Sequence, residues 1–254
     1  MRASRPHPRW GVHARDAGIV LAAILAAGPG DAAPGAGARA PVREPRVAVR
    51  GPVRPLARPP KPPAPPKVAW ASTLPALSVK NRNTNAQAKI RLYADDGTID
   101  RAGLRAFMRV AASAPDLADT PSGEVAEPLD PRLVQLAFRA AYHFKGAPIV
   151  LVSATRKGAH GKHGTGDALD FQLVGVRAAS LAAYARGFPC AGVGVYTHPK
   201  TQYIHLDVRE QSFHWLDGSP PGVTWRERRL ADRAQPKRDA AYARALDLPE
   251  VASK

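Results

Sequence analysis

The stretch GKHGTGDALDF, residues 161–171, places His163 and Asp170 seven positions apart among small residues. Its second half runs on as ALDFQLV, a strand pattern, and a carboxylate facing the core of a strand is costly unless it is paired or bound to a cation. Downstream, QYIHLDVR sets His205 in another apolar strand, so a second polar group enters the same kind of environment. One imidazole from a loop, one carboxylate and one imidazole from two strands make a His/Asp/His zinc set. Three protein ligands leave a fourth position for water, as a catalytic zinc requires.

Outward from that stretch the chain alternates helix and strand signals. DDGTIDRAGLRAFMRVAAS reads as a turn and then a helix near 101–113, with Asp100 as N-cap. LDPRLVQLAFRAAYHF gives a second helix with Asp130 as N-cap, Pro131 in its first turn, and Leu133, Leu136, Ala137, Ala140 and Ala141 at helical spacing. APIVLVSAT is a strand, AASLAAYARG a helix ending at Gly187, and AGVGVYTH and QYIHLDVR two strands joined around Pro199–Thr201. Helices followed by a strand-rich segment predict an α+β domain whose small, mainly antiparallel sheet packs against helices.

The two ends have a different composition. Arg2, Arg5, Arg9 and Arg15 precede the apolar run AGIVLAAILAA, which is followed by small residues offering A-x-A-like sites. This is the order of a secretory signal, expected over 1–33 and removed from the mature chain; an Ala-rich low-complexity tail is the alternative. The run is short for a bilayer span, so no stable membrane helix is expected after processing. Of 26 prolines, 11 fall between Pro34 and Pro66 amid Arg and Lys, which predicts a disordered linker over 34–67. Residues 1–67 carry +9 of the net +16, so the basic excess sits mostly outside the domain. No basic stripe interleaved with aromatics marks a nucleic-acid surface, and the tail charge suits an anionic cell surface instead. Cys190, the single cysteine, excludes an intrachain disulfide and reads as a buried, inert thiol. The domain is expected over 68–225, with a charged tail over 226–254.

KHGTGDALDF together with YIHLDVR resembles the H-x6-D and H-x-[HD] signature of the zinc D-alanyl-D-alanine peptidases and related murein endopeptidases, which share the hedgehog-type fold. LYADDGTID, LDPRLVQLAFRAA, LVSATR, AGVGVY and HLDVREQSFHW follow the order of the periplasmic murein endopeptidase branch, so the resemblance runs from Leu74 to Gly222. It implies one zinc per chain, held by His163, Asp170 and His205. It also implies that Arg156 holds a substrate carboxylate or carbonyl. Asp207, two residues past His205 on the same strand face, is the expected general base, with orientation of a ligand imidazole as its other possible role. Two departures stand out: the segment RKGAHGK between Arg156 and His163 is short, and Thr201 and Gln202 stand where many relatives carry an acid.

Outside that pattern, His160 and His214 are candidates for substrate or oxyanion contacts, His198 reads as a surface group, and Trp215 and Trp225 read as packing residues rather than a sugar platform. The expectation is therefore a monomeric, exported zinc peptidase of the periplasm or cell surface that cuts peptidoglycan stem peptides, as a cross-link endopeptidase. The alternatives are a D-alanyl-D-alanine carboxypeptidase and a non-catalytic, zinc-containing wall-binding module.

Overall fold

Asp100 and Asp130 start two of the helices, each by the same device. The Asp100 carboxylate accepts from the Ala102 and Gly103 amides at 3.1 Å, and Asp130 accepts from the Arg132 amide at 2.7 Å, satisfying donors that a helix start leaves open. The computed structural model of the protein describes residues 66–113, 129–155, 161–223 and 228–253. The expected signal segment, nearly all of the linker, Arg156, His160 and Trp225 lie outside the described residues.

In chain order the elements are α1 (Ala69–Thr73), β1 (Leu77–Asn81), β2 (Gln87–Ile90), α2 (Arg101–Ala111), α3 (Pro131–His143), β3 (Ile149–Ser153), β4 (Ala168–Leu173), α4 (Ala178–Ala185), β5 (Ala191–Tyr196), β6 (Tyr203–Val208), β7 (Phe213–Asp217), β8 (Arg228–Arg229) and α5 (Gln235–Ala240). Short 3-10 turns follow at Arg244–Asp247 and Glu250–Ser253. The strands form one sheet in the order β2-β1-β3-β4-β6-β5-β7-β8.

The fold is α+β as expected, but the sheet has eight strands and is mixed, not small and mainly antiparallel. β1 runs parallel to β3, and β7 runs parallel to β5. The added strands escaped the sequence pattern because β1 (LSVKN) and β2 (QAKI) carry polar residues between few apolar ones, and β7 (FHWLD) holds a histidine and an aspartate.

Strand alternation divides the central strands into two faces. Leu169 of β4, Leu206 of β6 and Val193 of β5 stand side by side in register and are fully buried with Phe171, Ile204, Phe107 and Phe138 beneath the helices. Each such side chain contributes roughly 1.5–3 kcal/mol on burial, so this face anchors the fold. One residue along, Asp170 of β4, His205 of β6, Gly194 of β5 and Trp215 of β7 form a continuous rung on the other face.

The charged stretch after Trp225 is bound to the domain at several points. Arg132 at the start of α3 grips Asp247, with Nε to Oδ2 at 2.9 Å, and its guanidinium lies over the Tyr242 ring. Asp239 accepts from the Cys190 and Ser212 amides at 2.7 and 2.8 Å. Cys190 is half-buried rather than buried, because it sits on this seam. Burial and the Asp239 charge push its thiol up, which keeps it protonated and inert.

Candidate metal centre

β4 and β6 are antiparallel, and their register sets Asp170 directly across from His205. A register shift at the end of β3, between Leu151 and Ser153, bends the chain there, and the Ala154 carbonyl beyond it accepts from His163 Nδ1 at 2.8 Å. The loop carrying His163 is tied down from both sides. The Asp130 amide donates to the Gly166 carbonyl at 3.0 Å, the Val208 amide donates to the Asp167 carbonyl at 3.0 Å, and Lys162 pairs with Asp167 at 3.1 Å. A loop histidine is thereby carried to the edge of a two-strand rung.

The result is a tight cluster. His163 Nε2 lies 3.2 Å from His205 Nδ1 and 3.4 Å from Asp170 Oδ1, while His205 Nδ1 lies 2.9 Å from the same oxygen. The three ligand atoms fall within 4.8 Å of one another. Their outer contacts fix which nitrogen is free to coordinate. Nδ1 of His163 faces a carbonyl, which only accepts, so it carries the hydrogen and Nε2 keeps its lone pair. Nε2 of His205 faces the Asp207 carboxylate at 3.1 Å and Nδ1 faces Asp170 at 2.9 Å, so without a metal both donate; when Nδ1 gives up its proton, the Asp207 contact keeps the remaining hydrogen on Nε2 and leaves the Nδ1 lone pair to the cluster. With that proton gone, two imidazole lone pairs and a carboxylate oxygen converge on one point, a donor set that a cation such as zinc fits.

The local charges agree. Burial opposes ionisation of Asp170, yet the His163 and His205 imidazoles beside it outweigh it and hold the carboxyl at about 2. Burial would depress His205, but Asp170 and Asp207 outweigh it and push the imidazole up to about 9. The cluster attracts positive charge.

Asp207, expected as a general base or as the support of a ligand imidazole, is held by protein groups on both oxygens. It has no exposed surface, takes the Nε2–H of His205 and is gripped by both edges of the Arg209 fork. Oδ2 meets the ring nitrogen of His205 turned away from the cluster and Oδ1 is taken by Arg209, an arrangement suited to orienting that imidazole.

His214 lies on the other face of the sheet from the cluster. It lies one residue before Trp215 and pairs in register with Val193, so it points to the helix-side face while Trp215 points to the cleft. Trp215 packs 5.1 Å, ring to ring, from His205, and its indole lies over Gly194, where a Cβ would stand only 2.7 Å from Nε1. A side chain at 194 would displace it.

A cleft of about 710 Å³ opens over the cluster. Besides the ligands, it is bounded by Lys162, Arg209, Trp215, Pro220 and the stacked Tyr196 and Tyr203 rings, 4.4 Å apart. The sequence pattern did not single out Arg209, although the period of two through His205 and Asp207 leads directly to it. Arg156 and His160 lie outside the described residues.

Residues 120–207 match the Peptidase M15 family. The M15 match supports the resemblance to the zinc D-alanyl-D-alanine peptidase superfamily and spans all three clustered donors and Asp207. The M15 family is zinc-dependent, in keeping with the donor set. Comparisons with curated proteins and with solved structures found no match.

Proposed function

We propose that the protein is an exported zinc metallopeptidase that hydrolyses peptide bonds in peptidoglycan stem peptides, acting on cross-links as an endopeptidase. The observation that carries the reading is the convergence of His163 Nε2, Asp170 Oδ1 and His205 Nδ1 at the floor of a cleft, inside the segment that matches M15 peptidases. Bound by these three groups, zinc supplies a Lewis acid and lowers the pKa of a bound water toward about 7.

The chain's own residues do the rest. The Ala154 carbonyl and Asp207 hold the two imidazoles in coordinating tautomers. Tyr196, Tyr203 and Pro220 form a wall along which an extended peptide can lie, with Lys162 supplying positive charge toward an anionic stem peptide. Arg156, close in sequence to Ala154, is assigned to a substrate carboxylate or carbonyl by resemblance.

Export rests on the order of basic, apolar and small-residue segments before Pro34. Among the described residues no helix is long and apolar enough to cross a membrane. N-terminal sequencing of protein from the envelope fraction is expected to place the mature start between about Ala27 and Ala36; an intact Met1 on cytosolic protein refutes export. For the activity, the purified protein is incubated with muropeptide dimers and with pentapeptide monomers, with and without chelator. Chelator-sensitive conversion of dimers to monomers is the expected result. Release of D-alanine alone replaces it with a carboxypeptidase, and no product from either substrate leaves a wall-binding module.

A further inference from the structure

The chain leaves β6 in the phase that placed His205 and Asp207 on the cleft face, and the next residue in that phase is Arg209. Its backbone is fixed, since the Arg209 amide donates to the Cys190 carbonyl at 3.1 Å. Its guanidinium closes on Asp207 as a fork: Nε donates to Oδ1 at 2.5 Å and Nη2 donates to Oδ2, over the Phe213 ring at 5.7 Å. A bidentate pair of this kind fixes the plane of the carboxylate as well as its position. Asp207 in turn takes the Nε2–H of His205.

The space for this pair exists because residue 192 of β5 is glycine. Gly192 stands in register with Asp207, and a Cβ there would overlap Asp207 Oδ2 and lie 2.5 and 2.6 Å from Arg209 Nη2 and Nε. Nothing about β5 as a strand asks for glycine, which weakens a strand interior. The side chains lying across it do.

An ion pair serving only to neutralise Asp207 would need a cation nearby, not a fork aligned with a cleared floor. We infer that Arg209 is a positioning residue for the metal: seated over Gly192, it fixes the Asp207 carboxylate so that His205 presents its Nδ1 lone pair to the cluster. The inference rests on the metallopeptidase reading above and extends it one residue outward from the ligands. Arg209 also borders the cleft, so the rival role is direct contact with substrate.

The two roles separate in measurement. Zinc affinity is determined for the full chain by competition with a chromogenic chelator, using the metal alone, for wild type and for Arg209→Gln, Arg209→Lys and Gly192→Ala. Kinetics at saturating zinc are recorded beside it. Arg209→Gln is expected to weaken zinc binding about 10–100-fold, the range for loss of a group that orients a metal-ligating histidine, with KM within about twofold of wild type. Arg209→Lys, which keeps the charge but not the fork, should fall between them. Gly192→Ala should reproduce the loss, because it displaces the same pair from the opposite side. If Arg209→Gln and Gly192→Ala do not fold, Arg209→Lys decides alone: wild-type zinc affinity in it overturns the inference. Unchanged zinc affinity with a raised KM assigns Arg209 to substrate and also overturns it. Wild-type protein that binds no zinc overturns the metallopeptidase reading together with this inference, whereas a zinc-binding wild type with unaltered variants overturns the inference alone.

Discussion

His205 and His214 are both buried histidines of one sheet, two strands apart and on opposite faces, and their surroundings drive them in opposite directions. His205 meets Asp170 on one ring nitrogen and Asp207 on the other, and its imidazole is pushed up to about 9. Neither ring nitrogen of His214 has a hydrogen-bond partner among the described residues; burial first, and then the Arg186 charge, push it down to about 4. Burial alone disfavours the charged form, so it is the carboxylates that turn a buried imidazole into part of a cation-seeking cluster. A histidine in an apolar strand is thus no signal of function until its partners are known, and those partners come from other strands.

The strongest way to break this comparison is to remove the donors one at a time. His163→Ala, Asp170→Ala and His205→Ala should each lose zinc affinity by more than about 100-fold and lose all activity, because three protein ligands leave no redundancy. His214→Ala should bind zinc as wild type does. Metal analysis after dialysis checks both halves, and stoichiometric zinc in any of the three donor variants removes that residue from the ligand set.

A smaller effect is expected from Asp207→Asn. If the carboxylate only orients His205, zinc affinity should fall about 10–100-fold, and turnover at saturating zinc should stay near normal. A loss of roughly 10²–10⁴ in turnover with zinc affinity intact would restore Asp207 as general base. Chelator competition and steady-state kinetics on one preparation tell these apart.

Much of this site was legible in the sequence. His163, Asp170 and His205 stood out because polar groups in apolar or small-residue strands demand an explanation, and the Asp100 and Asp130 caps mark helices by local chemistry alone. What remained hidden depends on register. SFHWL does not reveal which of two adjacent residues faces the cleft; pairing with β5 decides that and turns His214 to the helix-side face. The role of Asp207 was undecided for the same reason, since only the structure shows which nitrogen of His205 it holds. The glycines of AGVGV looked like ordinary small residues, yet the side chains they make room for arrive from β6 and β7.

Protons should compete with zinc at the cluster in a pH-dependent way. His205 must give up a proton to coordinate, and with its imidazole at about 9 the apparent affinity, corrected for the competing chelator's own protonation, should fall about tenfold per pH unit below that value. Calorimetry in buffers of different ionisation enthalpy should count close to one proton released at about pH 7. Zero protons released would mean that His205 is neutral before metal arrives.

The smallest effect belongs to His214 and is read in stability. Its folded-state value of about 4 lies below the roughly 6.5 of an unfolded histidine, so the unfolded chain takes up the proton first as pH falls. Stability from keeping His214 neutral is present above about pH 6.5, declines between there and about 4, and is flat below. The groups around it are Arg186 and Arg238, which resist its protonation, and Asp232 and Asp239, which favour it; Asp232 is itself held by Arg238 and Asp239 by Ser212, so neither is free to turn toward a new cation. Each tenfold change in a protonation equilibrium is worth about 1.4 kcal/mol, so His214 should account for about 2–3 kcal/mol of stability lost between about pH 7 and about pH 4.5. Urea unfolding of wild type and His214→Leu at both pH values, with chelator present to silence the metal centre, isolates this contribution. The variant should lose that much less on acidification, and it should match or exceed wild type at the lower pH, because leucine fills the site without two unpartnered nitrogens. Parallel pH profiles for the two proteins would show that His214 does not govern the acid limb and would leave the contrast with His205 resting on geometry alone.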